Sequence, residues 1–193
     1  MAGHARYTAL LDACVLYPLA MTDALLSLAT AGFFAAKWTT KIEEEWTRSL
    51  ERQRPDLVGK LNVRRDSMRE AIPDWEVPSY AWTSFDSGLR LPDPDDCHVL
   101  AAAIAGHADC IVTSNLKDFP HSVLMEYGIE AIDPDTFIIN QWDLDPVNAI
   151  AAFKRMRARR KKPQSSPEDF AYALEVGGLP TTAERVRAAA ELI

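Results

Sequence analysis

The chain has 193 residues, 48% hydrophobic and 25% charged, enough apolar mass for one α/β domain or one domain with a small appendage; bulk disorder is excluded. Twenty-one Lys+Arg against 28 Asp+Glu leave a net charge of −7, which as a bulk figure argues against a general nucleic-acid binder. Cys14, Cys97 and Cys110 are scattered and the four histidines lack ligand spacing, which excludes a disulfide scaffold and a zinc module; with no spanning apolar run and no signal peptide, a soluble cytoplasmic protein is expected.

Tyr7–Leu11 predicts a buried strand ending at Asp12, and Ala20–Ala31 has helical apolar spacing closed by Gly32. A helix opens at Thr40, with Glu43 three residues on as a capping-box acid and Ile42, Trp46 and Leu50 along one face. Pro55 restarts the chain into a polar helix from Asp56 to about Ala71, and Pro73 and Pro78 bracket a strand candidate, Trp75–Val77. The run from Leu91 to Cys97 leads into a helix through Val99–Ile104, stopped by Gly106. Ile111–Thr113 and Ile129–Ile132 read as short buried strands, and Pro134 sits in the first turn of a helix reaching Trp142. Strands alternating with helices predict a mainly parallel sheet covered on both faces.

Composition shifts after about residue 143. Pro146–Arg160 reads as a helix with a basic end, Ser166–Asp169 as a helix start, Gly177-Gly178 as its stop, and Thr181 or Thr182 as the cap of a last helix. The expected organisation is an α/β domain over residues 1–142 and a helical C-terminal extension over 143–193. Residues 154–162 gather seven of the 21 Lys+Arg and no acid, so the rest of the chain is more acidic than the bulk charge suggests. Within that run Arg155, Arg157, Arg159, Arg160 and Lys161 are candidates for RNA or partner contact, set against a solvated helix end. Trp75, Trp82 and Trp142 read as core or interface residues and not as base-stacking platforms.

The chemistry is carried by acids. Asp12 follows an apolar strand, and in open parallel sheets ligands gather beyond the carboxyl ends of the strands. A phosphotransfer reading of the haloacid-dehalogenase kind needs a second Asp at position 14, where Cys14 stands, and no glycine-rich phosphate loop follows any strand. On the helix from Thr40, Glu44 lies opposite the core stripe while Glu43 and Glu45 flank it. Asp93-Pro-Asp-Asp96 suits a helix N-terminus, yet Asp96 continues the core-facing stripe of Leu100 and Ala103, which capping explains less well than it explains Asp93 and Asp95. Asp118 closes a polar segment, Thr113-Ser-Asn115-Leu-Lys-Asp118, at the end of another strand. Asp12, Asp96, Asp118 and a flanking Glu at one strand-end crevice repel one another unless a divalent cation neutralises them, and oxygen ligands select Mg²⁺ or Mn²⁺ over zinc.

These residues resemble the PIN-domain nucleases, most closely the VapC-type toxins of toxin–antitoxin pairs. The resemblance is carried in order by Leu10–Pro18 with Asp12, Trp38–Trp46 with Glu45 (Glu44 the alternative), Pro94–Ala103 with Asp96, and Ile111–Phe119 with Asp118. It implies a three-layer α/β/α fold with a central, mainly parallel sheet over about residues 7–140. It further implies an Mg²⁺- or Mn²⁺-dependent endoribonuclease, a cognate antitoxin as inhibitor, and a homodimer. In that pattern Asp12, Glu45, Asp96 and Asp118 are the catalytic, metal-holding acids, and Thr113 and Asn115 orient ligands or the scissile phosphate. Many relatives carry Asp where Asn115 stands; where Asn stands there, as is also common in this subfamily, the acid comes from the Asp118 position. The alternatives are a non-catalytic PIN-like module that binds RNA or protein, and a metal-dependent phosphoesterase acting on small substrates.

Overall fold

The computed structural model describes residues 7–86, 88–160 and 165–193. The chain divides into two compact units. One holds the chain up to Tyr17 together with Phe34–Asp133; the other holds Pro18–Phe33 together with Pro134–Ile193.

The first unit is built on a four-stranded parallel sheet: β1 (Thr8–Leu11), β2 (Ala35–Lys37), β3 (Cys110–Val112) and β4 (Glu130–Ile132), in the order β2-β1-β3-β4. Ala9 of β1 pairs with Ala36 of β2 and with Cys110 of β3, and Ile111 pairs with Ala131 of β4. Past Thr8 the central strands are apolar because a parallel sheet is buried on both faces; Leu10, Leu11, Ile111 and Val112 are fully buried. The strand order reverses at β1, which sends crossovers to both faces and gives the expected three-layer α/β/α class. That reversal opens a crevice between the carboxyl ends of β1 and β3.

The helices of this unit are α1 (Ala13–Leu16), α3 (Thr40–Gln53), α4 (Asn62–Ala71), α5 (Ser79–Asp86), α6 (Cys97–Ala105) and α7 (His121–Leu124). Helix α6 packs on β1, β3 and α5. It is uniformly apolar from Val99 to Ala103, all without exposure, as a helix pressed between a sheet and another helix must be. Arg64 of α4 donates to the carbonyls of Leu16 (2.6 Å) and Tyr17 (3.2 Å) and lies 4.7 Å over the Trp46 ring. It thereby satisfies orphan carbonyls at the end of α1 and ties that helix to α3.

The second unit comprises α2 (Leu19–Thr30), α8 (Pro134–Leu144), α9 (Pro146–Ala158), α10 (Pro167–Val176) and α11 (Pro180–Ala188). Phe153 anchors it, with its ring centroid 5.0 Å from Trp142 and 6.4 Å from Phe170. Ser166 and Asp169 form the capping box of α10, as their spacing predicts. Among the described residues no helix is long and apolar enough to cross a membrane.

Several local expectations need correction. The N-cap of α3 is Thr39, whose hydroxyl accepts from the Ile42 amide at 3.1 Å, so Glu43 is no capping-box acid. The helix expected from Asp56 is a 3₁₀ turn, Pro55–Leu57, and then α4, because Gly59 at φ +72° breaks the run. Trp75–Val77 forms only an isolated parallel bridge, Trp38 to Glu76. Neither Thr181 nor Thr182 caps α11; Asp135 of α8 does so instead, accepting both of their amides at 2.7 and 2.9 Å and the Thr182 hydroxyl at 2.7 Å. Strand β2 and helix α5 carry no clear sequence signal.

Candidate functional site

Asp12 leaves β1 as the N-cap of α1 and is 6% exposed. Its Oδ1 accepts the Ala13 amide at 2.6 Å, and Oδ2 accepts the Thr113 hydroxyl at 2.7 Å and the Cys14 thiol at 3.0 Å. Thr113 directly follows β3 and has no exposure, and its oxygen also accepts the Asn115 amide at 3.0 Å. The two strand ends are therefore laced together through one hydroxyl. Burial first, then the Asp12 charge, pushes the Cys14 thiol up to about 12, which makes it a poor nucleophile.

Asp96 arrives from the other side. A 3₁₀ turn, Pro94–Asp96, is capped by Asp93, whose carboxylate accepts the Asp95 amide at 2.9 Å, and α6 starts at Cys97. This capping role for Asp93 is the one its position predicts. Asp118 closes a second 3₁₀ turn, is 8% exposed and accepts the Asn115 side-chain amide. One carboxylate oxygen from each of Asp93, Asp96 and Asp118 lies within 4.8 Å of the others. Burial, then the charges of Asp12, Asp93 and Asp118, raises the Asp96 carboxyl to about 6. Its Oδ2 is buried and finds no hydrogen-bond partner among the described residues.

The orphaned Asp96 oxygen, with oxygens of Asp93 and Asp118 within 4.8 Å and the Asp12 charge acting on it, is a donor set of oxygens whose chemistry fits a hard divalent cation such as Mg²⁺ or Mn²⁺; Asp12 itself lies outside that group of three. Asp12, Asp96 and Asp118, predicted separately, are brought to this crevice. Asp93 lies beside Asp96 and Asp118 while serving as a cap.

The three consecutive glutamates of α3 separate cleanly. Glu44 is exposed, as the helical stripe predicts. Glu43 is 1% exposed and bound to structure: it accepts Trp38 Nε1 at 2.9 Å and is held by the Arg69 guanidinium, which stacks 4.7 Å over Trp75. Glu45 is half-buried and its Oε1 lies 2.8 Å from Nε2 of His98. It lies outside the group of three aspartates. Removing Arg69 leaves the Glu43 carboxylate buried with one donor, so Arg69→Ala is expected to cost about 3 kcal/mol. Urea denaturation checks this, and a loss below about 1 kcal/mol contradicts it.

The basic run lies in the second unit and is largely engaged there. Arg159 bonds Asp23 at 2.5 Å and Ser27 at 2.8 Å, Arg160 lies 5.1 Å over the Phe170 ring, and Arg157 reaches the Ser165 carbonyl at 3.5 Å. Arg155 is exposed, and Lys161 lies outside the described residues.

Comparison with known proteins gives two family-model matches. A family model described as PIN domain matches residues 8–117, and one described as VapC50 C-terminal domain matches residues 134–188. A Mycobacterium tuberculosis protein named "Putative ribonuclease VapC50" is 53% identical over 49 residues, 25% of this chain and 29% of that relative's length. No solved structure matches the chain at a significant level. The PIN domain match spans more than half of the residues and contains every acid of the crevice apart from Asp118, one position beyond it: the chain belongs to the PIN domain family.

Proposed function

We propose that the chain is a divalent-metal-dependent endoribonuclease, the toxin of a toxin–antitoxin pair, which cleaves RNA phosphodiester bonds, is inhibited by a cognate antitoxin and acts as a homodimer in the cytoplasm. The observation that carries this reading is the buried, unpartnered Oδ2 of Asp96 beside Asp12, Asp93 and Asp118 at the reversal point of a parallel sheet. Family membership and the name of the matched relative support it.

Asp12, Glu45, Asp96 and Asp118 are assigned to Mg²⁺ or Mn²⁺. When bound, such an ion supplies a water acidified toward neutral pH and positive charge for the attacked phosphate. The protein's part is positional. The Thr113 hydroxyl fixes Asp12, and the Asn115 amide fixes Asp118, so neither acid needs to reorganise when substrate arrives. All of these residues belong to the sheet-bearing unit, and the helical extension from residue 143 is assigned no catalytic group. Exposed Arg155 is the member of the basic run assigned to phosphate or partner contact.

The test is cleavage of a labelled RNA pool by the purified chain with Mg²⁺ or Mn²⁺, and with excess EDTA. Cleavage that EDTA stops is expected. RNA binding without cutting at any metal concentration would make the chain a non-catalytic module. Hydrolysis of nitrophenyl phosphate without RNA cleavage would make it a small-substrate phosphoesterase.

A further inference from the structure

His98 is the second residue of α6, two positions after Asp96, and is 1% exposed. Its Nε2 lies 2.8 Å from Oε1 of Glu45, while Nδ1 is buried and takes no hydrogen bond among the described residues. A proton on Nε2 faces a carboxylate oxygen, whereas one on Nδ1 faces no acceptor among the described residues. The Trp82 ring flanks the imidazole, centroids 6.1 Å apart and planes at 48°. A core position that needed only volume would take an aliphatic side chain, since burying an imidazole with one nitrogen unpaired costs free energy. Its Nε2 lies instead within 2.8 Å of a carboxylate oxygen on a different helix.

We propose that His98 is a positioning residue whose Nε2–H holds Oε1 of Glu45 and leaves Oε2 to the divalent cation. The inference rests on the reading of Glu45 as a metal-holding acid. Among the described residues Oε2 of Glu45 accepts no hydrogen bond, so one oxygen is restrained and the other is open. The side chain of Glu45 is 32% exposed and long, and without the restraint it has rotamers to lose each time the ion binds. Because Asp96 and His98 share the start of α6, one rigid element sets both the third acid and the donor that fixes the second. Hydrogen-bonded partners of ligating carboxylates typically contribute 10–100-fold in metal affinity.

The experiment is calorimetric titration of the full chain with Mn²⁺ alone, beside a melting curve for each variant. His98→Leu is expected to weaken binding by about 10–100-fold. His98→Gln, whose amide N–H reaches close to the Nε2 position, is expected within about threefold of wild type, and His98→Asn, whose amide falls short, is expected to behave as His98→Leu. His98→Leu combined with Glu45→Gln should bind no more weakly than Glu45→Gln alone, because His98 acts through Glu45. If His98→Leu fails to fold, the Gln and Asn variants decide between the donor and mere packing. Wild-type affinity in His98→Leu or His98→Asn, or a Gln variant as weak as the Asn variant, overturns the inference. Unchanged affinity in Glu45→Gln overturns the assignment of Glu45 itself and His98 with it. Weakened Glu45→Gln beside unchanged His98→Leu removes His98 alone.

Discussion

Asp12→Asn is expected to lower RNA cleavage by about a factor of 10³, the scale on which removing one charge-stabilising group acts, while leaving the fold intact. The substitution keeps the shape of the side chain. The amide oxygen can still accept the Ala13 N–H that Oδ1 accepts at 2.6 Å, so the cap of α1 survives. The amide nitrogen replaces Oδ2, 2.7 Å from the Thr113 hydroxyl and 3.0 Å from the Cys14 sulfur, and its two protons can be met if hydroxyl and thiol both rotate from donating to accepting. Stability should therefore change by less than about 1 kcal/mol, within the range of conservative substitutions. What disappears is the negative charge at the end of β1. A folded Asp12→Asn protein that cuts RNA at the wild-type rate contradicts the assignment of Asp12.

Asp96→Asn carries the second large effect, and it has opposite signs for stability and activity. The folded protein holds the Asp96 proton up to about pH 6, because burial and the charges of Asp12, Asp93 and Asp118 oppose its ionisation. An unfolded chain releases that proton near 3.8, the ordinary value of the group. Between those two values the native state binds more protons than the unfolded state, so stability falls as pH rises through the window and the penalty is complete above about pH 6. Asn carries no such penalty. Nor does it remove a cap, since Asp96 makes no side-chain capping bond to α6. In the metal-free state Asp96→Asn is expected to melt several degrees above wild type at pH 8, with the gap closing as pH falls toward 4. The same variant should lose cleavage. Melting below wild type at pH 8 would mean that Asp96 serves the fold and not an ion.

Much of this site was legible because its acids sit where the sequence pattern breaks. Asp12 interrupts a run of strand residues, and Asp96 occupies a position that the stripe of Leu100 and Ala103 reserves for the core. Both are acids where an apolar residue would be cheaper, and that local inconsistency is the signal. Glu43 has no such local signal. Its spacing from Thr40 fits a capping box, but the cap is Thr39, and the carboxylate instead satisfies Trp38 and Arg69, partners 5 and 26 residues away. His98 was invisible for a similar reason, since its partner lies on another helix and a lone buried histidine has no spacing to read. Strand β2 is three residues long, with Ala35 and Ala36 as its apolar content, and it exists only because β1 is there to pair with it. The basic run is conspicuous in sequence yet mostly bonded within its own unit, which composition alone does not reveal.

The central claim is that the aspartates at the reversal point of the sheet hold a divalent cation, and its most direct test is Mn²⁺ binding to wild type and to Asp96→Asn, followed by electron paramagnetic resonance at pH 7.5. The account predicts saturable binding in the wild type and loss of that site in the variant, with both proteins folded. Equal Mn²⁺ binding by the two folded proteins would contradict it.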